Sequence, residues 1–297
     1  MKNNIKDHIA SILSVIIALA VSFLSTQNSN QHSYILFICM SSIFMIHWII
    51  FIPSYIFKTE KYYDITGTIA YLSMILVALY FIIIVNGEEL SIRSLVSTLL
   101  VLTWAVRLGI FLLLRVVKAG EDKRFENVKL SFSKFLMYFT ISSLWVFLTT
   151  VNFLTMLLHN STLINDIFFL LGLLIWIIGF IIEVVADEQK RRFKLNLDNK
   201  GKFISSGLWS YSRHPNYFGE ILLWIGMAII SLPVLLGWEY ITLISPLFVY
   251  MLLTKMSGIP ILEKQSNERW GNQSDYQNYK KITPILFPFK KNHEIID

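Results

Sequence analysis

Residues 164–196 read INDIFFLLGLLIWIIGFIIEVVADEQKRRFKLN: an unbroken apolar run that ends in carboxylates and then in a cluster of cations. The run from 164 to 186 has the length needed to cross hydrocarbon, where about 20 apolar residues in a helix suffice. Its exit is amphipathic. Glu183, Asp187, Lys190 or Arg191, and Lys194 recur at spacings of three and four, which puts them on one helical face. Glu183 still lies near membrane depth, where an unpaired carboxylate is costly. The bland reading of this face is a solvated exit with internal Glu-to-Lys pairing; the alternative is a face that holds a ligand.

Seven further apolar runs lie at 9–26, 34–56, 66–85, 92–117, 132–158, 216–235 and 239–255. With 55% hydrophobic residues in 297 and a mean hydropathy of +0.57, the chain is not an ordinary water-soluble domain. We expect an all-α, polytopic integral membrane bundle of about eight transmembrane helices. Loop charge orients it. If Met1 is cytoplasmic, every one of the 26 Lys and Arg falls on the cytoplasmic side except Arg93, outside, and Arg107 and Arg115, within a span. Both termini are then cytoplasmic. A cleaved signal peptide is the rival reading of the first run, since Lys2 and Lys6 precede an apolar stretch containing Ala18-Leu19-Ala20. The run continues past Ala20, which favours a span.

The net charge of +6 follows from this asymmetry and implies anionic lipid headgroups, not nucleic acid, as neighbours. Cys39 is the single cysteine and lies inside an apolar run, so the chain has neither a disulfide framework nor a thiolate metal site, and we expect no metal. CxxC, HExxH, P-loop and GxGxxG patterns are missing.

The polar segment from Ser206 to Glu220, SGLWSYSRHPNYFGE, opens the seventh span. Pro215 suits the first position of a helix, and Arg213 and His214 then stand beside free N–H groups at the positive end of the dipole. Such a helix start favours a phosphate or carboxylate. Asn216, Glu220 and Trp224 recur at i, i+4 and i+8 on one face of that span. In the fourth span stand Trp104, Arg107 and Arg115, followed by Glu121, Asp122 and Arg124. Arg107 falls near mid-membrane and requires an acidic partner, with Glu183, Glu220 or a ligand as the choices.

These motifs together resemble a known family. GLWSYSRHPNYFGEILLW, the preceding Glu183, Asp187, Gln189, Lys190, Arg192 and Phe193, WxxRL at Trp104 to Leu108, and the tail with Glu263, Tyr276, Tyr279, Lys281 and Pro284 are similar to the bacterial family of unknown function 1295. That family is similar in turn to the C-terminal domain of steroid 5-alpha-reductases and sterol reductases. The resemblance implies N-terminal membrane helices over 1–60 and a reductase-like membrane domain over 61–297. It implies NADPH held at the cytosolic face by the last helices, their loops and the tail. By position it carries the cofactor role to Glu183, Asp187, Arg191, Lys194, Trp209, Tyr211, Arg213, His214, Asn216, Tyr217, Glu220 and Glu263. Asp64, which opens DITGT at a span edge, and Tyr63 are the candidate proton donors. The implied reaction is NADPH-dependent reduction of a carbon–carbon double bond in a lipid-like or steroid-like enone drawn from the bilayer, in a bacterial inner membrane. The RHPxYxG segment and the tail with Trp270-Gly271, Tyr276 and Tyr279 also resemble isoprenylcysteine carboxyl and phospholipid methyltransferases, which implies S-adenosylmethionine as the alternative cofactor. A non-enzymatic lipid-binding role is the third reading.

Overall fold

The computed structural model describes residues 2–27, 33–119, 125–161 and 167–288. Among these it is all-helical. Ten α-helices follow in order: α1 (Lys2–Ser25), α2 (Ser33–Ile56), α3 (Tyr63–Leu79), α4 (Ile92–Ala119), α5 (Phe132–His159), α6 (Ile167–Leu195), α7 (Pro215–Ser231), α8 (Ile244–Met251), α9 (Ile259–Trp270) and α10 (Ser274–Ile282). Eight segments are long and apolar enough to cross a membrane, in the order expected from hydropathy. Along α1 and α6 large apolar side chains lie half exposed, Ile12 and Leu170 at 59% and 58% among them. That is the surface of a chain solvated by lipid, and the protein is a multi-pass membrane protein.

Two spans differ from their sequence outlines. The sixth does not stop near 186 but continues to Leu195 as one helix, because DEQKRRF is made of good helix formers with charges at pairing distance. The eighth is not one regular helix: a 3₁₀ stretch Gly237–Leu243, α8 and a π turn Leu252–Met256 follow each other, and Pro260 helps start a separate helix, α9. Glu121, Asp122 and Arg124 lie outside the described residues.

The chain divides into two compact units. One comprises Met1–Asp166 and Ser231–Ser245, the other Ile167–Ile230 and Pro246–Asp297. The first is built around α5, which packs on α1, α2 and α3. Phe135, Phe139, Phe147, Phe153 and Leu154 of α5 are fully buried. Phe51 of α2 meets Phe135 and Phe139 edge-on, at 5.8 and 5.7 Å between ring centroids. His47 spans its own helix and α5, through Ile43 O at 2.8 Å and Ser142 Oγ at 3.1 Å. The second unit is built on α6 and α7 with the tail folded onto their connection, and it carries the cationic turn.

Candidate active site

The second unit begins from four glycines. Gly172 and Gly179 stand seven residues apart on α6, as do Gly219 and Gly226 on α7. A Cβ on Gly179 would lie 2.5 Å from Leu223 N and 2.7 Å from Gly219 O, and one on Gly219 would lie 2.6 Å from Glu183 N. Cβ atoms on Gly172 and Gly226 would meet backbone just as closely. The two helices therefore cross backbone to backbone, as small residues permit in membranes.

This crossing brings the polar residues of the two helices together. Glu183, Asp187 and Glu220 are buried, and Asn216 Nδ2 donates to Asp187 Oδ1 at 3.2 Å. Spacing alone had put Glu183 and Asp187 on one face and Asn216 and Glu220 on another; the glycines make the two faces meet.

The turn before α7 is fixed by the tail. Arg213 N–H donates to Pro284 O at 2.9 Å, and Ser212 Oγ donates to Leu286 O at 2.7 Å. Glu263 of α9 then holds both cationic positions: Arg213 Nη1 donates to its Oε2 at 2.5 Å, and His214 Nε2 lies 2.8 Å from its Oε1. Tyr217 stacks on the His214 ring, 5.7 Å between centroids and 10° between planes. Burial pushes the His214 imidazole below its ordinary range, against the pull of the Glu263 carboxylate. Arg213 Nε and His214 Nδ1 are buried and have no hydrogen-bond partner among the described residues.

Trp209 is the anchor of the segment. Its Nε1 donates to Ala186 O at 3.0 Å, its carbonyl accepts the Tyr279 hydroxyl at 2.6 Å, and Lys190 Nζ sits 4.4 Å above its ring. Burial raises the Tyr279 phenol, which stays a donor at neutral pH. Gly207, at φ +61°, lets the backbone lie against Gln189, whose Oε1 accepts Leu208 N–H at 2.9 Å.

A model of the family described as Protein of unknown function (DUF1295) matches residues 47–283. The chain belongs to this family. Among curated proteins, this DUF1295 member is similar to 3-oxo-5-alpha-steroid 4-dehydrogenase 1 of Bos taurus, 27% identical over 126 residues, 42% of this chain and 44% of the relative. Steroid 5-alpha-reductase DET2 of Solanum lycopersicum is 32% identical over 122 residues, 40% of this chain and 41% of the relative. Probable O-methyltransferase ustE of Ustilaginoidea virens is 38% identical over 60 residues, 20% of this chain and 21% of the relative. The chain thus spans less than half the length of each of these relatives. No solved structure matches.

The residues expected at the site are not all equivalent in this DUF1295 structure. Glu183, Asp187, Trp209, Arg213, His214, Asn216, Tyr217, Glu220 and Glu263 lie in the second unit, buried or partly buried. Tyr211 and Lys194 are exposed. Arg191 is exposed as well, and its guanidinium is engaged by Glu188, with Nε at 2.6 Å and Nη2 at 2.8 Å. Sequence reasoning missed Glu188, which also takes Arg192 Nε at 2.6 Å; its i, i+3 and i, i+4 spacing to the two arginines was the available signal. Tyr63 and Asp64 belong to the first unit, at the start of α3. The Tyr63 hydroxyl donates to Tyr138 O at 3.2 Å, with its ring among Phe125 and Phe139. Arg107, in the same unit, lies over the Phe111 ring, 5.5 Å to the centroid.

A phosphate-bearing dinucleotide presents anionic oxygens, ribose hydroxyls and a carboxamide. The second unit offers a matching set: a guanidinium and an imidazole with open N positions, a side-chain amide, and buried carboxylates able to accept hydroxyls.

Proposed function

We propose that this DUF1295 protein is a membrane-embedded, NADPH-dependent reductase acting on a carbon–carbon double bond of a lipid-like or steroid-like enone. The observation that carries the reading is the partly buried Asp187–Asn216 pair at the glycine crossing, beside a turn whose Arg213 and His214 keep unpartnered nitrogens. The similarity to steroid 5-alpha-reductases of cattle and tomato supports the same reaction class. When bound, NADPH supplies a hydride. Arg213 would hold a phosphate oxygen, and Asn216, oriented by Asp187, would hold the carboxamide or a ribose hydroxyl. Glu183 and Glu220 would accept the remaining hydroxyls. The lysines and arginines of the α6 exit would attract the anionic cofactor from solution. Asp64 or Tyr63 would deliver the proton that completes reduction. The site of action is the cytoplasmic face of a bacterial inner membrane.

A methyltransferase is the second reading. The match to a fungal probable O-methyltransferase supports it, and the buried carboxylates would suit the sulfonium cation of S-adenosylmethionine. Equilibrium binding of NADPH, NADH and S-adenosylmethionine to the detergent-purified chain separates the two. Tight binding of NADPH alone is expected; binding of S-adenosylmethionine with no nucleotide bound would overturn the reductase reading.

A further inference from the structure

α5 carries polar atoms that the proposed reaction leaves unused. Thr140, Ser143, Thr150 and Thr155 each donate the hydroxyl to the carbonyl four residues earlier, the local way for a buried helix to satisfy a hydroxyl. Thr149 departs from its neighbours. Its Oγ1 is buried with no hydrogen-bond partner among the described residues, and the same holds for Trp145 Nε1 and Asn152 Nδ2. Asn152 Oδ1 is already occupied, accepting Phe153 N–H at 2.8 Å, and Thr149 O accepts the Ser245 hydroxyl at 2.5 Å. Thr149 and Asn152 have no exposed surface, and the Trp145 ring is partly exposed with its Nε1 enclosed.

Residues 145, 149 and 152 stand at i, i+4 and i+7, so the three share one helical face over a rise of about 10 Å. Met156 continues that face, and its Sδ lies 3.9 Å from Ser97 Oγ of α4. Thr98, the residue after Ser97, has a buried Oγ1 that also lacks a partner among the described residues. Buried donors are nearly always paired, and several left open on one face point to a ligand. The atoms on offer are uncharged N–H and O–H donors. None of the buried residues of α5 is a cation, so a phosphate or carboxylate is poorly served. A neutral, apolar molecule with ketone or hydroxyl oxygens is well served.

We propose that this face of α5 is the acceptor-binding site, with Thr149 and Asn152 donating to oxygen of a lipophilic ketone and Trp145 donating to a second oxygen further along the ligand. The proposal rests on the reductase reading only in taking that ketone as the acceptor. It has a consequence for the unliganded protein: replacing a donor kept open for a ligand by an apolar isostere removes a buried unsatisfied group and does not weaken the fold.

The test uses full-length detergent-purified protein, wild type, Thr149→Val and Asn152→Leu. Thermal unfolding is measured together with binding of progesterone, a neutral enone with a second ketone at its far end, of the matching ketone-free hydrocarbon, and of NADPH. Thr149→Val, which removes only an unpartnered hydroxyl, should keep or raise the wild-type Tm; both variants should lose tenfold or more in progesterone affinity and bind hydrocarbon and NADPH unchanged. A lower Tm in Thr149→Val would show that the open donors are structural and overturn the proposal. So would equal binding of ketone and hydrocarbon by the wild type, or binding of neither. Ketone selectivity that disappears in the variants, in a wild type that binds no NADPH, would remove the reductase reading and leave the α5 site standing.

Discussion

Glu263 decides the charge of the turn that opens α7, because one carboxylate serves both Arg213 and His214. His214 is almost fully buried, and burial depresses its pKa more than Glu263 raises it, with Lys190 and Arg213 adding to the depression. A group depressed in the fold contributes stability that is fully present above its unfolded value, about 6.5 for histidine, and that is lost as pH falls through the folded value. Melting of the wild type should therefore fall between pH 7 and pH 5, and fall less in His214→Gln; parallel pH profiles would show that other groups govern acid loss. Asn216 is a second point of leverage. Since it contacts Asp187 at the edge of the helix crossing, Asn216→Ala should raise the NADPH Kd about tenfold, or ~1.4 kcal/mol, with Tm near wild type. A matching loss of Tm would make the pair structural. At this scale the sequence was informative where chemistry is spaced on one helix. The i, i+4 step from Glu183 to Asp187 and from Asn216 to Glu220 names three buried polar residues and the partly buried Asn216, whereas the Glu188 hold on Arg191 competes with the phosphate role assigned to that arginine and no single spacing in the sequence ranks the two.

The α6–α7 crossing turns those spacings into a site, so it should be sensitive to a single methyl group. Gly179→Ala and Gly219→Ala force atoms into backbone and should cost about 1 to 3 kcal/mol each, the usual range for overpacking, and weaken NADPH binding at the same time. Gly67→Ala on α3 is the control: its Cβ would meet nothing closer than 4.0 Å, and alanine favours a helix by up to about 1 kcal/mol. Loss of stability in Gly67→Ala equal to that in Gly179→Ala would show that glycine flexibility, not close approach, matters. The exit of α6 makes a separate prediction. Replacing Arg191 and Lys194 together by Gln should weaken NADPH more than NADH if these cations grip the 2′-phosphate. Glu188→Gln, which frees Arg191 and Arg192, should shift selectivity the other way. Equal effects on both nucleotides would assign the cations to the pyrophosphate or to the helix exit. Hydropathy located all eight spans because lipid demands continuous apolar length. It could not show the seven-residue glycine spacing as a contact, nor the 3₁₀ and π turns that divide the eighth span, since both depend on what packs alongside.

For the whole molecule, chain order is a poor guide to packing. The first unit reclaims Ser231–Ser245 after the chain has already entered the second, and no local pattern at 231–245 announces that return, because the hydroxyl of Ser245 finds its acceptor 96 residues away at Thr149. Charge, by contrast, acts along the chain and is legible directly. Arg93 is the single Lys or Arg between Lys61 and Arg107, while the exit of α6 and the tail are crowded with Lys and Arg, so the cytoplasm should face Lys61, Lys200, the Arg213 turn and both termini. Cys39 is fully buried, which makes the native chain a silent background for thiol labelling. Asn86 and Lys200 are both exposed, at opposite ends of the expected topology. In intact cells a membrane-impermeant maleimide should label Asn86→Cys at once and Lys200→Cys only after permeabilisation. The opposite order would invert the molecule and move the Arg213 turn away from the cytoplasmic nucleotide pool. Labelling of both sites in intact cells would place them on one side, and the count of eight crossings would then be wrong by at least one.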